Sequence, residues 1–157
     1  MYKKVSTDMN FVDREKQIEK FWDDNHIFEK SMEEREGCPD YIFYDGPPTA
    51  NGKPHIGHVL TRVIKDMIPR YRTMKGSMVP RKAGWDTHGL PVELEVEKLL
   101  GLDGKDQIEE YGLEPFIDKC KESVWKYKGM WEDFSSTVGF WADMEHPYVT
   151  YYDDYIE

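Results

Sequence analysis

A chain of 157 residues, 39% hydrophobic and 14% aromatic, is long and apolar enough to bury a core, which excludes an intrinsically disordered protein. Its 31 acidic residues outnumber its 21 Lys and Arg residues, and the resulting charge of −10 argues against a dedicated nucleic-acid-binding domain. Its two cysteines are not arranged as a CxxC pair, which is typical of a protein from a reducing compartment. The sequence has no signal-peptide core and no apolar run of about 18 residues. We therefore expect a cytoplasmic protein without a membrane span.

The charge is unevenly distributed, because residues 62–82 form a locally basic stretch. In this stretch only Asp66 is acidic. Its basic residues are Arg62, Lys65, Arg70, Arg72, Lys75, Arg81 and Lys82. A local basic patch for an anionic partner is therefore compatible with the acidic total.

The amino-terminal part predicts a surface helix. Across residues 11–35, charged residues surround an apolar stripe formed by Ile18, Phe21 and Trp22. The sequence EGCPD at 36–40 contains Gly and Pro and should end this helix.

A strand, a shaped loop and a long helix follow. YIFYDG at 41–46 predicts a short strand, and the prolines and Asn-Gly of PPTANGKP at 47–54 predict a loop. Residues 55–75 predict a helix that Pro69 should kink and Gly76 should end. Its apolar residues recur at helical spacing: Ile56, Val59, Leu60, Val63, Ile64, Met67, Ile68, Tyr71 and Met74.

A short strand or extended segment at 77–83 and a second loop at 84–91 complete a strand–helix–strand unit. Such a unit implies a parallel sheet and an α/β fold. Ligands of parallel sheets bind at the carboxyl ends of the strands, beside helix amino termini. Both shaped loops, 47–54 and 84–91, are expected at that edge.

The remaining chain predicts further helices. Residues 91–101 alternate like a strand, but their initial Pro, final Gly and charged residues favour a helix. Residues 115–134 predict one amphipathic helix. Thr150 followed by Asp153 resembles a helix cap close to the final residue, which suggests a fragment of a longer protein.

The loop–helix junction at residue 55 suggests a phosphate site. His55 and His58 share one face of the first helical turn, where unpaired backbone N–H groups favour an anion, and Gly57 permits a close approach. The imidazoles could stabilise charge that develops during phosphoryl or nucleotidyl transfer. Two alternatives are open: a polar helix start with incidental histidines, and a zinc site in which Asp86 and His88 join the two histidines as ligands.

The second loop, GWDTHGLP, offers a carboxylate beside an aromatic ring. Asp86 next to Trp85 suits a ligand ammonium group, whereas an Asx-type turn with Trp85 in the core is the simpler interpretation. Pro47 and Pro48, which follow Gly46, form either a rigid apolar wall of a pocket or a stiff loop.

Two longer blocks resemble one enzyme family. DGPPTANGKPHIGH at 45–58 resembles the first signature of class I aminoacyl-tRNA synthetases, which ends in HIGH, and AGWDTHGLPVE at 83–93 is similar to the following block of the isoleucine-specific members. The resemblance implies the first half of a Rossmann-like nucleotide-binding fold, with the HIGH motif at the helix start. It also implies an ATP-dependent ligase that forms isoleucyl-adenylate and transfers isoleucine to tRNA(Ile), with Mg²⁺ accompanying ATP.

The resemblance also implies residue roles. His55 and His58 would be the catalytic histidines that contact ATP phosphates, Gly57 would lie against adenine, and Asn51 would belong to the ATP-facing loop. The residues that match the isoleucine site are Gly46, Pro47 and Asp86.

The family's other parts are missing from this sequence. The KMSKS loop, the second half of the nucleotide fold, the editing domain and the zinc-binding cysteines are not present, so an amino-terminal fragment with little activity of its own is expected. We expect residues 1–40 to be a helical extension and residues 41–157 to be the first part of the catalytic domain. A different HIGH-motif nucleotidyltransferase and a non-catalytic, synthetase-derived binding module are the alternative functions.

Overall fold

The computed structural model describes residues 2, 4–5, 7 and 10–156, with only the backbone of 153 and 154 included. The strands are β1 (Phe43–Tyr44), β2 (Arg81–Trp85) and β3 (Asp143–Val149). The helices are α1 (Phe11–Asn25), α2 (Ile27–Glu33), α3 (Ile56–Met74), α4 (Leu90–Leu100), α5 (Lys105–Tyr111), α6 (Leu113–Ser123), α7 (Lys128–Thr137) and α8 (Asp153–Ile156). No helix in the described ranges is both long and apolar enough to cross a membrane.

The three strands form a parallel sheet in the order β1-β2-β3, which confirms the predicted α/β class. Helix α3 connects β1 to β2, as the strand–helix–strand prediction requires. The boundaries of β2 were wrong, because it starts at Arg81 and continues through Trp85 into the predicted loop. Four of its five residues are buried, the pattern of a strand covered on both faces, so no polar alternation marks it.

The amino-terminal helix is divided in two. His26 adopts the left-handed conformation (φ 49°) and separates α1 from α2, so a single helix over 11–35 was wrong. Of the predicted stripe, Ile18 and Phe21 remain about half exposed, at 50% and 53%. Trp22 packs edge-on against Trp141 with 5.0 Å between the ring centroids, and this contact ties α1 to the rest of the chain.

Helix α3 matches its prediction closely in length but not in burial. It runs without interruption through the buried Pro69, and Gly76 follows its end with φ 94°. The buried residues of α3 are Arg62, Pro69 and Thr73. Most of the predicted apolar face is exposed: Ile56, Leu60, Val63, Ile64, Met67, Ile68, Tyr71 and Met74.

The second half of the chain holds more elements than the sequence predicted. The preference for a helix at 91–101 is confirmed by α4, but the single helix over 115–134 was wrong because a turn separates α6 from α7. In that turn Tyr127 N donates to Ala50 O at 3.2 Å, a tertiary contact that local periodicity does not reveal. Helix α5 and strand β3 had not been predicted.

The buried cluster nearest the two shaped loops lies at the carboxyl edge of the sheet. It consists of Ala50 from the first loop, Trp85 and Val149 from the ends of β2 and β3, and Trp131 from α7. The side chain of Asp153, which the sequence suggested as part of a helix cap, lies outside the described residues, as does Glu157.

Candidate nucleotide and amino-acid site

The two shaped loops meet at the carboxyl edge of the sheet. The backbone N–H of Asp86 donates to Pro48 O at 3.0 Å, and Thr49 Oγ1 donates to Asp86 Oδ2 at 3.3 Å. The residue that follows β3, Thr150, receives a hydrogen bond from Thr87 N at 3.0 Å. The two loops therefore lie together at the carboxyl edge of the sheet, as the topology predicts, and Asp86 is part of that edge.

A cavity of about 480 Å³ lies between the first loop and α3. Its lining includes four of the residues to which the resemblance gives a role: Gly46, Pro47, His55 and His58. The remaining lining consists of Pro48, Thr49, Gly52, Lys53, Thr61, Arg62, Lys65 and Trp131. Asp86 is not among these lining residues, but Thr49, which is, donates a hydrogen bond to its carboxylate.

His55 and His58 cap each other at the start of α3. The Nδ1 atom of His55 accepts a hydrogen bond from Gly57 N at 3.1 Å, and the Nδ1 atom of His58 accepts one from His55 N at 3.0 Å. The two rings lie 3.8 Å apart between centroids. Two backbone donors at the helix start are satisfied in this way.

The caps determine where the imidazole hydrogens lie. An Nδ1 atom that accepts a hydrogen bond carries no hydrogen, so each neutral ring bears its hydrogen on Nε2. Gly57 is required for this arrangement, since a Cβ atom there would lie 2.9 Å from Cε1 of His55. The pair can therefore present two Nε2–H donors to an anion while holding the helix start.

Trp131 fixes His58 from the other side. Its ring meets the His58 ring edge-on at 4.7 Å, and its Nε1–H donates to Gly52 O at 2.7 Å. Burial is the largest cause of a lowered pKa for His58, followed by the charges of His55, Arg62 and Lys65. Each effect favours the neutral imidazole that the caps require.

A buried charge cluster beneath the cavity was missed from the sequence. Asp45, at the end of β1, is almost fully buried, and Lys65 Nζ lies 2.7 Å from its carboxylate. Arg62 Nη1 lies 3.6 Å from the same carboxylate, and burial lowers the pKa of the guanidinium. The signal was the spacing of His58, Arg62 and Lys65, which lie on one helix face at i, i+4 and i+7.

Aromatic rings surround the guanidinium of Arg62, which also pairs with Asp45. Its guanidinium carbon lies 4.5 Å from the ring centroid of Phe140 and 5.4 Å from that of Trp131. Among the described residues, its Nε and Nη1 atoms have no hydrogen-bond partner. Because Lys65 already compensates the Asp45 carboxylate at 2.7 Å, the guanidinium charge of Arg62 remains beside the cavity, where it suits phosphate.

The other singled-out residues lie around the cavity rather than in its wall. Asn51 Nδ2 donates to Pro91 O at 3.1 Å and so joins the first loop to the start of α4. His88 pairs through Nδ1 with Thr150 Oγ1 at 2.7 Å. The zinc alternative required His88 beside His55 and His58, but His88 does not line the cavity that those two residues share.

Comparison with known proteins identifies relatives over the entire chain. The family model described as tRNA synthetases class I (I, L, M and V) matches residues 17–157. The chain is 61% identical to an isoleucine–tRNA ligase of Clostridium novyi (strain NT) and 60% identical to that of Clostridium acetobutylicum, in each case over 157 residues. It is 58% identical over 155 residues to isoleucine–tRNA ligase 2 of Bacillus anthracis. The chain spans 15% of the length of these relatives.

A solved structure shares the fold. The agnB2 LeuRS of Agrobacterium radiobacter K84, in a ternary complex with tRNA and LeuAMS, matches 91% of this chain and 16% of its own with a TM-score of 0.60 and 20% sequence identity. This likeness supports the expected Rossmann-like fold. The family model matches most of this chain, and the likeness in fold agrees with it. The chain therefore belongs to the class I aminoacyl-tRNA synthetases, in the group of the isoleucine, leucine, methionine and valine enzymes.

Proposed function

We propose that the protein activates isoleucine with ATP to isoleucyl-adenylate and transfers isoleucine to tRNA(Ile). The observation that carries this proposal is the meeting of the two loops: Thr49, in the wall of the cavity lined by His55 and His58, donates a hydrogen bond to the Asp86 carboxylate. The sequence identity of 61% and 60% to two isoleucine–tRNA ligases over the entire chain supports isoleucine as the amino acid.

The nucleotide end of the site would be formed by the start of α3. The Nε2–H groups of His55 and His58 would donate to ATP phosphates, and Gly57 would lie against adenine. Asn51 would act from the adjacent loop, whose position against α4 it secures. The described lining contains no carboxylate, so Mg²⁺ would arrive bound to ATP phosphates rather than to this chain.

The amino-acid end would be formed by the loops after β1 and β2. The carboxylate of Asp86 would accept hydrogen bonds from the isoleucine ammonium group, and Thr49 already orients that carboxylate. Gly46 and Pro47 would form the floor under the substrate. Isoleucine would then lie between Asp86 and the phosphates.

This arrangement needs no protein nucleophile. A carboxylate oxygen of isoleucine attacks the α-phosphorus of ATP, the bond to the β-phosphate oxygen breaks, and pyrophosphate leaves with the electron pair. A ribose hydroxyl at the tRNA 3′ end then attacks the adenylate carbonyl and AMP leaves. Positioning and charge stabilisation are the contributions expected of the enzyme.

We also propose a division of the chain and a location. Residues 41–157 would be the first part of the catalytic domain, and residues 1–40 a helical extension held by the contact of Trp22 with Trp141. The protein would act in the cytoplasm, where tRNA is charged.

Exchange of pyrophosphate into ATP by the complete natural protein tests the proposed function. Exchange should require isoleucine, and leucine should support it poorly. Valine, which lacks one methylene, should support it with a kcat/KM roughly 10- to 200-fold lower. Exchange that does not depend on any amino acid would instead favour a different HIGH-motif nucleotidyltransferase, and the absence of exchange together with ATP-independent tRNA binding would favour a binding module.

A further inference from the structure

Lys65 connects α3 to the loop that follows β1. Its Nζ atom lies 2.7 Å from Asp45 Oδ1 and 2.8 Å from Gly46 O, so one ammonium group holds two consecutive residues of the loop. The Asp45 side chain is 1% exposed and that of Lys65 is 32% exposed. Hydrogen bonds of this charge-assisted kind are stronger than neutral ones.

The backbone of Asp45 makes further contacts. Its N–H donates to Lys82 O at 2.9 Å, and its carbonyl oxygen accepts a hydrogen bond from the Tyr148 hydroxyl. These contacts tie the residue to β2 and β3. The side-chain carboxylate depends on α3, where Arg62 stands 3.6 Å away and Lys65 provides the shorter contact.

The same helix face carries the histidines of the site. His58 and Lys65 lie about two turns apart on α3, and both line the cavity with Gly46. A change at Lys65 therefore affects the distance between the start of α3 and the loop at Gly46 and Pro47.

We propose that Lys65 is a positioning residue that sets the amino-acid floor at Gly46 and Pro47 against the helix that carries His55 and His58. This inference rests on the proposed function for the assignment of the two substrates. Lys65 acts through Asp45 and the Gly46 carbonyl, so its loss displaces the isoleucine site more than the ATP site.

Pyrophosphate exchange by the complete protein tests this role in three variants. Lys65→Met should raise the KM for isoleucine about tenfold, the factor expected for loss of a charge-assisted hydrogen bond, and the KM for ATP by a smaller factor. Lys65→Arg should recover part of the loss because it keeps the charge. Lys75→Met, at an exposed position just after α3, is the matched control and should leave both KM values unchanged.

A double variant separates positioning from stability. Lys65→Met leaves the buried Asp45 carboxylate with the more distant Arg62 alone, which should lower the melting temperature. Adding Asp45→Asn removes that charge but leaves the buried Arg62 guanidinium without a counterion, so only part of the melting temperature should return, while the KM for isoleucine stays raised because the Gly46 carbonyl has lost its donor.

Three results would overturn the inference: an unchanged isoleucine KM in Lys65→Met, an ATP KM that rises at least as much, or an isoleucine KM restored in the double variant. If the unmodified protein shows no isoleucine-dependent exchange, the proposed function fails instead. Hydrogen–deuterium exchange then decides the inference, because residues 44–50 should exchange faster in Lys65→Met than in Lys75→Met. Equal exchange in the two variants would contradict it.

Discussion

At the residue scale, the two histidines serve the helix and the cavity at once. Their spacing predicts a shared face, which is compatible with a polar helix start or with a phosphate site. The structure shows that the Nδ1 atoms hold the helix start, which leaves the Nε2 atoms for a ligand. The reciprocal caps could not be predicted because they depend on the ring orientations, which Gly57 and Trp131 determine.

Substitution of Gly57 tests the cap at His55. In Gly57→Ala the new methyl group would lie 2.9 Å from Cε1 of His55, so the ring must move and its cap weakens. Loss of a cap costs about 1 kcal/mol of stability, so the urea midpoint of unfolding should fall accordingly, and the KM for ATP in pyrophosphate exchange should rise because the His55 ring is displaced. Gly129→Ala is the control, since a Cβ atom there has no neighbour within 4 Å. An unchanged ATP KM in Gly57→Ala would show that the His55 cap is dispensable.

The pKa of His58 tests the contribution of Trp131. Burial lowers this pKa from its ordinary value of 6.5, so the folded chain binds fewer protons than the unfolded chain between the lowered pKa and 6.5. Stability from this group is complete above 6.5 and decreases as the pH falls through that window. Trp131→Phe makes the ring that packs on His58 smaller, so the His58 imidazole becomes more exposed and its pKa should move toward 6.5.

An NMR titration of the His58 ring hydrogens measures this shift. Trp141→Leu alters an aromatic cluster that does not contact His58 and should leave the titration unchanged. An unchanged pKa in Trp131→Phe would indicate that the nearby charges, rather than burial by Trp131, lower it.

At the element scale, the sequence predicted those helices whose extent depends on their own residues, through periodicity and the residues at their ends. The length of α3 followed from its periodicity and from Gly76, and the helix at α4 followed from Pro91 and Gly101. The break between α6 and α7 and the extension of β2 arise from contacts with distant parts of the chain. The burial of α3 was also unpredictable, because its inward side carries Arg62, which a polarity pattern assigns to the surface.

The close packing of β2 on β3 yields a prediction at this scale. A Cβ atom at Gly84 would lie 2.2 Å from the Tyr148 ring, so Gly84→Ala must displace that ring and the hydroxyl bonded to the Asp45 carbonyl. Overpacking of this kind costs about 1–3 kcal/mol, and the urea midpoint of unfolding should fall accordingly. Adding Tyr148→Leu provides space and should recover part of the stability. An unchanged midpoint in Gly84→Ala would show that β3 adjusts without strain.

At the scale of the whole molecule, the charge of −10 conceals an internal use of basic residues. The basic stretch at 62–82 is not a simple surface patch. Arg62 and Arg81 are buried, Lys65 pairs with Asp45, and Arg70 pairs with Asp66. Burial lowers the pKa of Arg81 to about 10. Composition alone could not distinguish cations that support a site from cations that face a partner.

The parallel topology, in contrast, could be predicted at this scale. Because strand ends meet at one edge, the sequence predicted that the loops at 47–54 and 84–91 would lie together, and their hydrogen bonds confirm this. The buried Asp45 cluster escaped prediction because its partners lie 17 to 20 positions along the chain from the carboxylate.

The most direct test of the account is a calorimetric titration of the complete protein with a non-hydrolysable isoleucyl-adenylate analogue. We predict one saturable site whose affinity falls about tenfold or more in Asp86→Asn and in His58→Ala, as expected for the loss of a hydrogen bond to a charged group. Asp118→Asn, at an exposed position on α6, should bind like the unmodified protein. Absence of binding, or an affinity that Asp86→Asn leaves unchanged, would contradict a shared site for isoleucine and ATP at this edge of the sheet.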